Sequence, residues 1–160
     1  MTGMRFLGVD YGRRRIGLAW SDDSATLARP WQTIAAGPTP AASAQAIDRA
    51  IAEFLHQAGE EAIAGIVLGL PRRLNGQDTD QTAVVRELAG LLGTSSVPVH
   101  LQDERLSSRE AEARLAVHER DWRARKKQID AAAAAIILQD FLDGQQRTRP
   151  TASADVAEGA

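Results

Sequence analysis

The sequence predicts an α/β fold built on a mixed sheet, and three observations predict it. Within the first 35 residues, three short stretches of strand-like hydrophobicity are separated by tight-turn signals, the pattern of an antiparallel meander. Further on, residues 62–70 and 97–101 are nearly unbroken apolar runs, as in strands covered on both faces. Segments with helical periodicity alternate with those runs, which predicts parallel strands joined by crossover helices. The meander supplies three strands and the runs supply two, a mixed five-stranded sheet flanked by helices.

Each element has its own local reason. Residues 5–10 are apolar and end on Asp10, with Tyr11-Gly12 as a turn. Residues 15–20 resume a strand, with Ile16, Leu18 and Trp20 alternating against Gly17 and Ala19. A turn at 21–24 leads to a third strand at 25–34, which Pro30 places at an edge because proline donates nothing to a ladder. Gly37, Pro38 and Pro40 mark a loop, and a helix follows from about 41–43 to 57, closed by Gly59. Its apolar stripe is Ile47, Ala50, Ile51, Phe54 and Leu55. The run at 62–70 stops at Pro71, and the polar loop 72–78 turns at Asn75-Gly76. A second helix covers 79–92, with Val84, Val85, Leu88, Leu91 and Leu92 on one side and Gly93 at its end. The strand at 97–101 runs into Gln102-Asp103-Glu104-Arg105. Ser107-x-x-Glu110 matches a capping box and starts a third helix that extends to about His118 or further. Residues 120–128 read as a charged loop. A last helix spans 129–142, with Ile129, Ala133, Ile136, Ile137 and Phe141 inward. One domain at 1–143 and a disordered tail at 144–160 complete the expectation.

Composition narrows the function. A chain of 160 residues, 44% of them hydrophobic, suits a single core. Its 19 basic and 21 acidic residues leave a net charge of −2. That balance argues against a generally basic nucleic-acid binder, although a local basic patch is enough to hold phosphates. The absence of cysteine excludes disulfides, thiolate chemistry and Cys-ligated zinc. No apolar run reaches the roughly 18–20 residues of a membrane helix, so no membrane partner is expected and the cytoplasm is the expected compartment.

Three acidic positions stand where chemistry is expected. Asp10 ends the first strand, at the carboxyl edge where open α/β sheets bind ligands; by itself it also suits a turn. Asp103 and Glu104 follow a strand in the same way, and if the chain stays extended they point to opposite sides, so at most one shares a site with Asp10. Asp130 opens an otherwise apolar, alanine-rich helix, where it is either an N-cap or a third member of the site. Three carboxylates converging at one sheet end make a hard-oxygen site suited to Mg²⁺ or Mn²⁺. The usual work of such a site is phosphodiester hydrolysis. Basic residues adjoin the same loops: Arg13, Arg14 and Arg15 after Asp10, Arg72 and Arg73 after the 62–70 run, Arg105 and Arg109 beside the acidic pair, and Arg123, Arg125, Lys126 and Lys127 before Asp130. As ordinary surface they are solvated charge; grouped beside the acids they are a grip for phosphates. The histidines have no ligand spacing, and Trp20, Trp31 and Trp122 are scattered, which favours core or loop roles over base stacking.

Four ordered motifs carry a resemblance. Leu7-Gly8-Val9-Asp10-Tyr11-Gly12-x-x-Arg15-Ile16-Gly17-Leu18-Ala19 resembles the N-terminal signature of the YqgF family of pre-16S ribosomal RNA nucleases, which is also Holliday-junction-resolvase-like. Val67-x-Gly69-Leu70-Pro71 with Asn75-Gly76, Asp103-Glu104-Arg105-Leu106-Ser107-Ser108, and Asp130-x-x-Ala133-Ala134-x-Ile136-Ile137-Leu138-Gln139 are similar to its later motifs. One departure is Ala131, where the family often has serine after the acid. The resemblance implies an RNase H-like fold and a nuclease dependent on Mg²⁺ or Mn²⁺. It implies Asp10, Glu104 and Asp130 as catalytic and metal-binding carboxylates. Arg13, Arg15, Arg72, Arg73, Arg105, Lys126 and Lys127 are the expected substrate contacts. The expected substrate is the 5′ region of the ribosomal RNA precursor. Branched DNA, or RNA binding without catalysis in ribosome assembly, are the alternatives, and the chain is expected to work as a monomer or homodimer.

Overall fold

The computed structural model describes residues 5–60, 62–73, 75–93, 97–104 and 122–148, without the side chains of 122–127 and 147–148. The elements run β1 (Phe6–Tyr11), β2 (Arg15–Ser21), β3 (Ala28–Ala35), α1 (Pro40–Ala58), β4 (Gly65–Leu70), α2 (Asp80–Leu92), β5 (Val99–Asp103) and α3 (Trp122–Thr148). The strands form one sheet in the order β3-β2-β1-β4-β5. β1, β2 and β3 pair antiparallel, while β4 lies parallel to β1 and β5 parallel to β4. This is the mixed five-stranded sheet expected of the sequence, with β1 at its centre.

Two cores cover the two faces. On one, Leu7, Val9, Ile16, Leu18, Ile66 and Leu68 pack against α1 and α2 through Ile47, Ala50, Val85, Leu88 and Leu92. The helical stripes read from periodicity are the ones buried, with Ile51, Phe54, Leu55, Val84 and Leu91 at their margins. Trp20 stacks on Phe54 with ring centroids 4.1 Å apart and Trp31 lies 5.5 Å from Trp20, so both tryptophans serve this core. On the other face, among the described residues, α3 lies across Phe6, Ala19 and Val67.

The second face is built for close approach. A Cβ on Gly8 would stand 2.7 Å from Leu138 Cβ and 2.8 Å from the Ala134 carbonyl oxygen. A Cβ on Gly17 would overlap the Asp130 carbonyl. Bare backbone on β1 and β2, together with alanines on α3, therefore lets the helix rest almost on the sheet.

Several boundaries differ from the expectation. α3 begins at Trp122 and continues through Thr148, so the charged stretch expected as a loop is helical from 122, and the tail expected from 144 starts as helix. Arginine, lysine, glutamine and alanine are good helix formers, and one glycine costs a packed helix only about 1 kcal/mol. Asp130 consequently sits in the third turn of α3, not at its N-cap. The inward residues of α3 are Ala131, Ala133, Ala134, Ile137, Leu138 and Leu142; Ile129, Ile136 and Phe141 are only half-buried. β5 starts at Val99 and is an edge strand among the described residues, with Leu101 43% exposed, not a strand covered on both faces. β3 begins at Ala28 because the Asp22 carboxylate accepts from the Thr26 and Leu27 amides and holds a longer turn. Pro30 does lie in an edge strand, next to a bulge between Leu18 and Ala19. The helix expected after Ser107 lies outside the described residues.

Candidate active site

Asp10 is the fifth residue of β1, opposite Gly17 of β2, and its side chain projects on the α3 face near the carboxyl end of the central strand. Glu104 arrives from the sheet edge. Its amide donates to the Leu70 carbonyl at 3.2 Å, which extends the β4–β5 pairing by one residue and turns the side chain toward the α3 face. β5 is two strands from β1, roughly 9–10 Å at normal strand spacing. Gly69 on the intervening strand opens the path: a Cβ there would stand 3.0 Å from Glu104 Oε2 and 3.2 Å from its carboxyl carbon. A long side chain passing over a bare glycine can thus meet Asp10, and Glu104 and Asp10 are hydrogen-bonded. Asp103 is the last residue of β5 and points the other way, but its charge still acts on Glu104. Of the two adjacent acids, Glu104 is the one that meets Asp10.

Asp130 completes the acidic group from α3. Its carbonyl rests over Gly17, and its carboxylate Oδ2 accepts a hydrogen bond from Arg15 Nε at 2.8 Å. The Asp130 charge also reaches Asp10. Burial is the main reason that the Asp10 carboxyl is pushed up to about 6, with Asp130 adding to the rise and the hydrogen bond from Glu104 opposing it. Burial, then the Asp10 charge and their hydrogen bond, push the Glu104 carboxyl up to about 9. Burial and mutual repulsion therefore favour a proton held between the two carboxyls of the metal-free pair, across the hydrogen bond that joins them.

The RuvX family model, described as Holliday junction resolvase, matches residues 4–144. The chain belongs to the RuvX family. This RuvX chain is 39% identical over 154 residues to a Chloroflexus aurantiacus protein named "Putative pre-16S rRNA nuclease", covering 96% of this chain and 95% of that protein. A Pelotomaculum thermopropionicum protein of the same name is 38% identical over 148 residues, 91% of each chain. The solved structure "T. thermophilus RuvC in complex with Holliday junction substrate" covers 89% of this chain and 96% of that chain at 17% identity, with a TM-score of 0.48.

In this RuvX chain the three carboxylates converge on one region, but they are not a ready-made cage. Among the described residues, no three Asp, Glu, His or Cys side chains are grouped to hold a metal ion. The donor chemistry nonetheless fits a hard divalent cation: two carboxylates in contact, with a third close enough for its charge to act on Asp10. A cation there would take the place of the proton that the pair now shares. Asp130 is engaged by Arg15 instead.

The expected phosphate contacts are distributed unevenly. Arg13 is exposed in the β1–β2 turn and Arg73 in the loop after β4. Arg72 is half-buried and faces Asp78 at 3.8 Å, within a loop fastened by the Arg72–Asp78 bridge and by the Thr82 hydroxyl, which donates to the Pro71 carbonyl. Arg15 pairs with Asp130. Arg105 and Arg109, and the side chains of Arg123, Arg125, Lys126 and Lys127, lie outside the described residues. Reading the sequence for charge overlooked Gly17 and Gly69, which admit Asp130 and Glu104. A glycine inside a strand is a known mark of close approach, so the signal was present.

Proposed function

We propose that this chain is an endonuclease dependent on Mg²⁺ or Mn²⁺ that trims the 5′ end of the 16S ribosomal RNA precursor in the cytoplasm. The observation that carries the reading is the meeting of Glu104 with Asp10 across Gly69, with Asp130 brought beside them by α3. The names of the relatives support the RNA substrate. The chemistry a divalent ion would supply here is activation of water and stabilisation of the leaving oxygen of a phosphodiester. The chain's own contribution is positional. Asp10, on a strand paired along both sides, would be a fixed ligand for the ion. Glu104, in contact with Asp10, would hold the ion with it, the proton between the two carboxyls being released as the ion binds. Arg13 and Arg73, exposed at the same end of the sheet, bind flanking phosphates and align the strand.

The test is cleavage of a 5′-extended 16S precursor transcript in Mg²⁺ or Mn²⁺. Asp10→Asn is expected to lower the rate by about a thousandfold, the size of several kcal/mol of metal-borne stabilisation. Wild-type cleavage by Asp10→Asn would overturn the reading. The family's description as a resolvase favours a second substrate, so four-way DNA junctions belong in the same assay. Faster cutting of the junction than of the precursor would reassign the substrate and leave the active site as described.

A further inference from the structure

Arg15 stands between two possible partners. Its backbone is fixed at the start of β2: the Gly12 amide donates to the Arg15 carbonyl at 2.9 Å, and the Ala36 amide donates to the Arg14 carbonyl at 2.9 Å. Its Nε donates to Asp130 Oδ2 at 2.8 Å. The terminal nitrogens of the guanidinium have no hydrogen-bond partner among the described residues. The pair is open to solvent, with side chains 36% and 26% exposed, so a phosphate can reach it. Asp130 itself is held in place by its backbone, because its carbonyl is seated on Gly17. Releasing Arg15 therefore frees the Asp130 carboxylate without displacing α3.

We propose that Arg15 is a substrate-operated latch: it withholds Asp130 from the metal until a nucleic-acid phosphate engages the guanidinium. A phosphate offers the planar guanidinium a two-oxygen acceptor, a better match than the single bond through Nε. Asp130 then turns to the cation that Asp10 and Glu104 share. Metal and nucleic acid consequently bind with positive coupling, each tightening the other by the same factor. Arg15 acts here as a positioning residue, and the inference rests on the metal-site reading above.

The experiment measures Mn²⁺ binding directly, by calorimetry and by the electron paramagnetic resonance of free Mn²⁺, in wild type, Arg15→Gln, Asp130→Asn and the double variant. Without nucleic acid, Asp130→Asn should weaken binding by less than about twofold in the wild-type background and by about tenfold in the Arg15→Gln background, the effect of one freed carboxylate on a dication. A single-stranded oligonucleotide with non-cleavable linkages should tighten Mn²⁺ binding to wild type and leave Arg15→Gln unchanged. Should Arg15→Gln fail to fold, Arg15→Met carries the test, since it keeps an apolar stem of similar length and has no donor for Asp130. Equal costs of Asp130→Asn in both backgrounds, with no effect of the oligonucleotide, would overturn the latch. Failure of wild type to bind Mn²⁺, or wild-type affinity in Asp10→Asn, would instead overturn the metal site itself.

Discussion

A single methyl group at Gly17 tests whether α3 positions the site. A Cβ added there would lie 1.9 Å from the Asp130 carbonyl oxygen, 2.3 Å from its carbonyl carbon and 3.0 Å from the Ala131 nitrogen. All three are backbone atoms of a helix, so no rotamer change relieves the clash. Restoring ordinary contact needs a retreat of about 1.5 Å by the turn that carries Asp130, and misplacement on the order of 1 Å can cost about a hundredfold in rate. Overpacking of this kind costs roughly 1–3 kcal/mol, which for a domain of this size lowers Tm by about 3–10 °C. Gly17→Ala should therefore remain folded, melt several degrees early, and cleave with kcat reduced about a hundredfold. Gly90→Ala is the control: nothing lies within 4 Å of its added Cβ. Within α2 it should gain about 0.5–1 kcal/mol and leave cleavage unchanged. Melts and single-turnover cleavage on the three proteins decide the matter. Wild-type Tm and kcat in Gly17→Ala would refute the close seating of α3 on β2.

The acidic pair makes stability depend on pH. Because burial raises Asp10 to about 6 and Glu104 to about 9, the folded metal-free chain holds protons that the unfolded chain has released. Stability should therefore decline as pH rises between about 5 and 9, and the decline should flatten in Glu104→Gln; a rising wild-type Tm over that window, measured in chelator, would contradict the assignment. Asp22, whose carboxyl is held low by the Thr26 amide, acts only at more acidic pH. Removing the exposed Arg73 should weaken RNA binding for all sequences alike and reduce the salt slope by about one, and an unchanged slope would take Arg73 out of the interface. Thr82 is fully buried and its hydroxyl bonds to Pro71. Thr82→Val should cost about 1–3 kcal/mol through the unpaired carbonyl and raise KM more than it lowers kcat, because it loosens the loop that presents Arg73; kinetics and urea melts would show whether the two effects separate.

By itself the sequence determined what local pattern can carry. Alternation and turn residues gave the meander, apolar runs gave β4 and β5, and the 3.6-residue stripes of α1 and α2 named residues that are buried or border the core. The placing of Asp10 at a strand end needed only the run Leu7-Gly8-Val9 and the turn after it. The extent of α3 was obscured because a run of charged residues such as 123–127 reads alike for a loop and for a helix, and that error misplaced Asp130 at a helix start. Tertiary structure alone decided which acid meets Asp10, because the answer depends on Gly69 lying on the strand between β5 and β1. It alone joined Arg15 to Asp130, 115 residues apart. Local propensity reports on neighbours within a few residues, whereas a site made from β1, β2, β4, β5 and α3 is defined by distances that exist only once the sheet has closed and the helix has settled on its glycines.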